Sequence, residues 1–214
     1  MLNIKRFVCN FFQENCYVVS DETKQCVIID CGAYYAEETS AVAEYIHSNG
    51  LTVKHLLATH AHIDHNFGNR AIYDEFGILP MVSAKDELLM NGLARQAEVL
   101  CNIKLGYDMP PVGAYFDEST VISFGTHRFS IIPTPGHTPG SVFLYCQEEG
   151  IAFSGDTLFK MSIGRTDFDF GSFADIQQSL NMLKGRLPMN TVIYPGHGDH
   201  TTLADEVHHN PFMQ

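Results

Sequence analysis

Three histidines and an aspartate occupy six consecutive positions directly after an apolar run, in the segment ATHAHIDHN. They are His60, His62, Asp64 and His65. Imidazole and carboxylate groups are ligands of zinc and similar ions, and a turn that leaves a strand lets alternate side chains face one space. One histidine alone is more often an ordinary surface or core residue. Four such side chains this close together predict a metal site.

Three further potential ligands follow other apolar runs, each in a turn that contains glycine. They are His137 in PTPGHTPGS, Asp156 in AFSGDTLF and His197 in IYPGHGDH. Loops at strand ends are where rigid scaffolds present functional side chains. Seven donors are too many for one tetrahedral zinc ion, whereas two ions that share a carboxylate need about that number. The sequence therefore predicts a two-metal site.

Strands and helices must position these residues. In the first half, β-branched and aromatic runs predict strands, and Val42, Tyr45 and Ile46 at helical spacing before Gly50 predict a helix. The predicted strands are 3–8, 16–20, 25–30 and 52–60, and the predicted helices are 36–50 and 68–77.

The second half repeats this order. The predicted strands are 119–124, 127–133, 141–147, 150–156 and 191–198. A helix over 172–185 begins at Ser172, with Asp175 completing a capping-box-like start. Its predicted apolar face comprises Phe173, Ile176, Leu180 and Leu183. Two strand-rich halves closed by helices predict an α/β fold, a four-layer αββα sandwich, in one domain over 1–214.

Residues 84–110 allow two interpretations. Leu89, Leu93, Ala97 and Leu100 have helical spacing, and a proline pair ends the segment. The helix is either a lid over the site or an ordinary packing helix.

Composition narrows the classes of partner. The formal net charge is −12, which disfavours nucleic acid and anionic membranes. No apolar run is long enough to span a membrane and no secretory leader is visible, so we expect a cytoplasmic protein. The six cysteines form no C-x-x-C pair and are expected to be reduced thiols. The oligomeric state is not indicated.

The motifs THAHIDH, GHTPGS, SGDTLF and YPGHG, in this order, resemble the metallo-β-lactamase superfamily. More narrowly, FFQENCYVV, GDTLFKMSIGRTDF and the tail resemble the glyoxalase II-like (hydroxyacylglutathione hydrolase-like) hydrolases. The resemblance runs nearly end to end. It implies an αββα sandwich in the compact form, without the C-terminal helical domain that binds glutathione.

The resemblance also implies roles for individual residues. One ion would bind His60, His62 and His137, the other would bind Asp64, His65 and His197, and Asp156 would bridge them. Asp30 would orient a ligand histidine by accepting a hydrogen bond from the ring N–H that does not face the ion. Zn²⁺ is the expected metal, with iron or manganese as alternatives. The family usually has proline where this chain has Cys31, whose role stays open.

The activity implied is that of a dinuclear metallohydrolase. Its substrate would be a small acyl thioester of the S-2-hydroxyacylglutathione type, attacked by a hydroxide that bridges the ions. Asp64 and Asp156 would be the catalytic carboxylates, with Asp64 orienting the hydroxide. Lys160 and Arg165 are the nearest basic residues in sequence, and either would meet a substrate carboxylate. In the alternative interpretation, Arg165 pairs with Asp167 or another acid and only shapes the loop.

Two other functions stay open. A persulfide dioxygenase shares GRTDF and would hold one iron on His60, His137 and Asp156. A non-catalytic metal-binding protein is a remoter alternative, because no ligand is missing. Asp156, where antibiotic-hydrolysing members carry cysteine, and His65 argue against a β-lactamase. His62 argues against a flavodiiron reductase, which has glutamate there.

Overall fold

The computed structural model describes residues 1–214. The strands of the first half are β1 (Asn3–Cys9), β2 (Glu14–Ser20), β3 (Gln25–Ile29), β4 (Thr52–Leu57), β5 (Pro80–Ser83) and β6 (Ala114–Phe116). Those of the second half are β7 (Val121–Phe124), β8 (His127–Pro133), β9 (Val142–Cys146), β10 (Ile151–Gly155), β11 (Leu158–Phe159), β12 (Ser162–Ile163), β13 (Val192–Pro195) and β14 (Thr201–Thr202). The helices are α1 (Ala36–Ser48), α2 (Asn69–Phe76), α3 (Glu87–Asn91), α4 (Leu93–Cys101), α5 (Phe173–Arg186) and α6 (Leu203–His209).

Two six-stranded sheets carry the fold. The first has the order β1-β2-β3-β4-β5-β6, antiparallel up to β3 and parallel from β3 to β6. The second has the order β14-β13-β10-β9-β8-β7, in which only β10 and β13 are parallel. No helix has the length and apolar character required to cross a bilayer.

Apolar side chains from both sheets form the central core, a cluster of 15 buried residues that includes Ile29, Leu57, Phe129 and Phe153. A second cluster joins the outer face of the first sheet to α1 and α2. A third joins the outer face of the second sheet to α5 and α6. The layers are therefore helix, sheet, sheet and helix, which confirms the predicted αββα sandwich.

Some local predictions were wrong. The strand predicted over 52–60 ends at Leu57, because the chain turns there toward the histidine motif. Phe173, predicted to be buried, is 55% exposed at the first turn of α5, although Ser172 caps that helix by accepting from the Asp175 amide. The short strands β5, β6, β11 and β12 were not predicted, since runs of two to four residues carry little periodicity.

The segment 84–110 forms two helices separated at Gly92. Leu93 and Ala97 are buried against the loop that follows β4, as the spacing predicts. Leu100 was predicted on the same face but is 48% exposed. Helix α4 therefore has apolar side chains on two faces, one packed and one open.

A histidine joins three turns at the edge of the sandwich distant from the metal-type motifs. His127 Nδ1 lies 3.1 Å from Asp21 Oδ2, and His127 Nε2 lies 2.9 Å from Glu149 Oε1. Burial lowers the pKa of His127, but the hydrogen bonds to the two carboxylates outweigh burial and raise that pKa overall. The N-terminal ammonium, 3.2 Å from Glu149, adds a further charge. Protonated His127 therefore stabilises the folded state.

We expect stability to depend on His127 in a defined pH range. Because folding raises its pKa, its contribution is complete below about pH 6.5 and is lost as pH rises through the folded-state pKa. His127→Gln should cost about 1–3 kcal/mol at pH 6 and less at pH 9. Urea unfolding at both pH values measures this difference. An equal cost at both would contradict a charged imidazole.

Candidate metal centre

The predicted ligands lie at one end of the sandwich and come from both sheets. The segment with His60, His62, Asp64 and His65 follows β4 of the first sheet. His137 follows β8, and Asp156 and His197 follow the parallel strands β10 and β13 of the second sheet. Parallel strands end at the same edge of a sheet, so the last two residues start close together.

Two groups of donor atoms form at this edge. Ligand atoms of His60, His62 and His137 all lie within 4.8 Å of one another, and so do those of Asp64, His65 and His197. The first group is buried, and the second contains the partly exposed Asp64 and His197. The structure thus brings together both sets of three that the sequence indicated.

Asp156 lies between the two groups. Its Oδ1 is 3.2 Å from His65 Nε2, and its Oδ2 is 3.6 Å from His137 Nε2 and 3.6 Å from His197 Nε2. One carboxylate therefore faces a histidine of each group, as a bridging ligand must.

Backbone and side-chain contacts fix which ring nitrogen of each histidine faces the centre. His137 Nδ1 is 2.7 Å from the carbonyl of Arg165, and His197 Nδ1 is 3.1 Å from the carbonyl of Phe12. A carbonyl can only accept, so each Nδ1 carries the hydrogen and each Nε2 faces the other donors, with His137 Nε2 2.8 Å from His62 Nδ1.

Several buried donors have no other protein partner. His60 Nε2 makes no hydrogen bond, and His65 Nε2 and Asp156 Oδ1 face only each other, at 3.2 Å. Burial lowers the pKa of His62 to about 4 and that of His60 well below its usual range, so both rings are neutral at pH 7. Burial raises the pKa of Asp156, but the charge of His65 outweighs it and keeps this carboxyl ionised. Burial lowers the pKa of His65, but Asp156 and Asp64 outweigh burial and raise that pKa well above its usual range, so a binding ion would displace the His65 proton. Neutral imidazole and ionised carboxylate are the ligating forms, which His60, His62 and Asp156 already have, so these residues fit a divalent ion.

Asp30 supports the centre in the predicted manner, as a hydrogen-bond acceptor. Its Oδ1 accepts from the Thr59 amide at 2.7 Å, and its Oδ2 accepts from Thr59 Oγ1 at 2.6 Å and faces His65 Nδ1 at 3.1 Å. Thr59 Oγ1 in turn lies 3.1 Å from His60 Nδ1. Asp30 holds this position with φ of 52°, an uncommon conformation for a non-glycine residue.

Asp86 is a site residue that the sequence did not reveal. Its buried carboxylate accepts from the Ala61 amide at 2.9 Å, from Thr138 Oγ1 at 2.7 Å and from the Gly140 amide at 2.6 Å. It therefore ties the loop after β4 to the loop that carries His137. Its only signal in the sequence is an acidic residue inside an otherwise amphipathic segment.

Glu14 is a second missed residue. It is fully buried at the end of β2, neither of its carboxylate oxygens has a hydrogen-bond partner, and Oε1 is 3.8 Å from His65 Nδ1. Burial raises its pKa well above the usual range. The glutamate in FFQENCYVV was the available signal, since the surrounding strand is apolar.

The predicted substrate contacts differ from the metal ligands in their surroundings. Arg165 forms two hydrogen bonds to Asp167, at 2.7 and 2.8 Å, and its guanidinium lies 4.0 Å from the Phe168 ring centroid. Lys160 is exposed in the turn between β11 and β12 and lines neither cavity at the site. Cys31 is a buried free thiol of the outer core.

An open cavity of about 490 Å³ lies over the donor atoms. We call it the metal cavity, and its lining includes His62, Asp64, His137, Asp156, His197, Phe12, Phe159, Arg165 and Phe168. Its volume is in the range of small-molecule sites. The donors therefore form the floor of a site that a small molecule can enter.

Fold and site together define an αββα protein with a metal centre of the hydrolase type. Residues 9–206 match the model of the metallo-beta-lactamase superfamily, and the chain belongs to that superfamily. The resemblance inferred from the motifs is confirmed.

Similar proteins cover nearly the whole chain. Hydroxyacylglutathione hydrolase GloC of Haemophilus influenzae is 32% identical over 99% of this chain and 98% of its own. The crystal structure of BLEG-1 B3 metallo-beta-lactamase has a TM-score of 0.88 and 32% identity, covering 99% of this chain and 100% of that one. TTHA1623 in a di-iron-bound form has a TM-score of 0.85 and 31% identity, covering 97% and 99%.

Metal stoichiometry tests the two groups of donors. His62→Ala and His197→Ala should each lower the metal content from about two ions to about one per chain, because each removes a ligand from one group only. Elemental analysis of protein purified without added metal gives the count. His200→Ala is the matched control, because that exposed histidine stacks on Tyr194, outside both groups. Two ions retained in His197→Ala would contradict the second group.

Asp86 should be required for stability of the centre. Asp86→Ala leaves the Ala61 and Gly140 amides buried without an acceptor, at a cost of at least about 3 kcal/mol. Urea unfolding measures the loss, and metal content should fall with it. The exposed neighbour Glu87, changed to Gln, should alter stability by no more than about 0.5 kcal/mol. Equal effects of the two variants would show that Asp86 does not join the loops.

Proposed function

We propose that the protein is a dinuclear metallohydrolase that cleaves a small acyl thioester. The observation that carries this proposal is Asp156, whose two oxygens face histidines of both donor groups on the floor of an open cavity. The relative named hydroxyacylglutathione hydrolase supports the thioester as substrate class. We also propose a cytoplasmic location. We propose further that the protein has no nucleic-acid partner, because its net charge of −12 repels a phosphate backbone.

The residues suit addition of water to a carbonyl. Two divalent ions held by the seven ligands would lower the pKa of water and polarise the substrate carbonyl oxygen. Asp64 lines the cavity and can accept a hydrogen from the attacking water and so orient it. A carbon–oxygen bond forms, the carbon–sulfur bond breaks, and the products are a carboxylate and a thiol. Phe12, Phe159 and Phe168 give the cavity apolar walls that limit access of bulk water.

We propose Zn²⁺ as the native metal. Imidazole and carboxylate ligands also suit iron and manganese, and a neighbour of 31% identity is described in a di-iron-bound form. Iron is therefore the first alternative to measure.

Metal content, thioester cleavage and oxygen uptake should be measured on one preparation. We expect about two zinc ions per chain, cleavage of S-lactoylglutathione or a simpler thioester, and no oxygen uptake with glutathione persulfide. Asp64→Asn should lower kcat by at least about 100-fold, since it replaces the ionised carboxylate that binds metal and orients water by a neutral amide. One iron with persulfide-dependent oxygen uptake would replace the proposal by the dioxygenase with its triad His60, His137 and Asp156.

A β-lactam is the second candidate substrate, because the neighbour of TM-score 0.88 is named a metallo-beta-lactamase. Lactam opening uses the same addition of water to a carbonyl. Two residues favour the thioester. Asp156 stands where antibiotic-hydrolysing members of the superfamily carry cysteine, and His65 follows Asp64 as in the glyoxalase II-like hydrolases that the chain resembles. Parallel assays of a penicillin and a thioester decide between them: a higher kcat/KM for the penicillin would overturn the thioester proposal.

A further inference from the structure

The metal cavity adjoins a second cavity of about 450 Å³. The two share His62, Leu100 and Phe168 in their walls, so they lie side by side. We call the second cavity the apolar groove, and its apolar lining is Leu88, Leu89, Val99, Leu100, Phe168 and Phe170. It lies between helices α3 and α4 on one side and the segment 168–170 on the other.

The groove exposes large apolar side chains to water. Leu88 and Val99 are each 70% exposed, Phe170 is 56% exposed and Leu100 is 48% exposed. Isolated exposed apolar residues are common, but a contiguous set around a cavity indicates a binding surface. The opposite face of α4 already packs Leu93 and Ala97, so the exposed set is not required for the core.

The wall of the groove is fixed in place. Gln96 of α4 donates from Nε2 to the carbonyl of Ala61 at 3.0 Å, and its Oε1 accepts from the Ile63 amide at 3.1 Å. The helix is thereby joined to the loop that carries the first metal ligands. Helix α4 is therefore a preorganised wall of the site, so that little conformational entropy is lost in this helix when a ligand binds.

Charged groups are few in the apolar groove. Arg95 and Asp169 are the charged residues of the groove wall, and Arg165 is the only arginine or lysine of the metal cavity wall. Because Arg165 already binds Asp167 through two hydrogen bonds, it is not free to hold a carboxylate of a polar thiol such as glutathione. The apolar groove therefore matches an apolar acyl chain better than a group with free carboxylates, such as glutathione.

We propose that the apolar groove holds the acyl chain of the substrate, so that the enzyme prefers thioesters of medium-length apolar acids to lactoyl thioesters. This inference rests on the proposed thioester hydrolysis. The thioester carbonyl of the substrate then lies over the metal ligands, and its acyl chain runs past His62, Leu100 and Phe168 into the apolar groove.

Acyl thioesters of one uncharged thiol, N-acetylcysteamine, test the preference directly. The purified holoenzyme should show kcat/KM rising about three- to fourfold per methylene from acetyl toward octanoyl, until the groove is filled. S-Lactoylglutathione should be a poorer substrate than the octanoyl thioester. A series with no dependence on length would overturn the inference while leaving thioester hydrolysis intact.

Variants locate the preference in the groove. Val99→Asp and Leu88→Asp should each lower the ratio of octanoyl to acetyl kcat/KM at least about tenfold, because each places a charge beside the chain. Ala94→Asp is the matched control, since Ala94 is exposed on α4 but does not line the groove. An unchanged ratio in both groove variants would overturn the inference.

A binding measurement separates the inference from the proposed function. Calorimetry with butanoate and octanoate needs no turnover. Octanoate should bind the wild type at least about tenfold more tightly than butanoate, and Val99→Asp should remove this difference. If no thioester is cleaved and this difference is found, the proposed reaction is wrong, but the apolar groove still binds an acyl chain. Equal binding of the two acids would overturn the inference that the apolar groove binds an acyl chain, whatever the reaction is.

Discussion

Buried donor atoms without protein partners are the constraint on which this structure depends. His60 Nε2 is removed from water and meets no hydrogen-bond partner, and the buried His65 Nε2 and Asp156 Oδ1 face only each other. Leaving polar atoms in this state costs free energy, which the rest of the fold must supply until an ion binds. Because these residues come from loops of both sheets, the core between the sheets determines whether the donors converge. Burial of Phe129 and Phe153 at that interface is thus linked to the metal centre.

Two further carboxylates convert this packing into fixed loop positions. Asp30 and Asp86 are as buried as the ligands, but their oxygens are occupied by hydrogen bonds. Asp30 positions the start of the histidine segment, and Asp86 joins that segment to the loop of His137. Asp156 differs from both, because its oxygens face ring nitrogens of His65 and His137 and no backbone amide.

The sequence could predict what depends on residue type and local spacing. The αββα layers follow from strand and helix periodicity, and the seven donors follow from imidazole and carboxylate groups placed after apolar runs. It could not predict which polar groups meet across the chain. Asp86 lies 52 residues from Thr138. The local pairing of Arg165 with Asp167 was, in contrast, one of the two interpretations that the sequence allowed. The same limit applies to Leu100, whose helical spacing was clear but whose face depends on the loop against which α4 packs.

The chemistry of the floor and the identity of the substrate are determined by different parts of the chain. The donor atoms belong to loops at the strand ends, and polarising a carbonyl there suits thioesters and lactams alike. Selection must come from the walls, which are α3, α4 and the segment from Arg165 to Phe170. In that segment the guanidinium of Arg165 is bound to Asp167 and stacked on Phe168, so it shapes the wall and is not a free anion site. The apolar wall, which Gln96 holds against the ligand loop, would favour substrates by the apolar area that they bury beside the donor atoms.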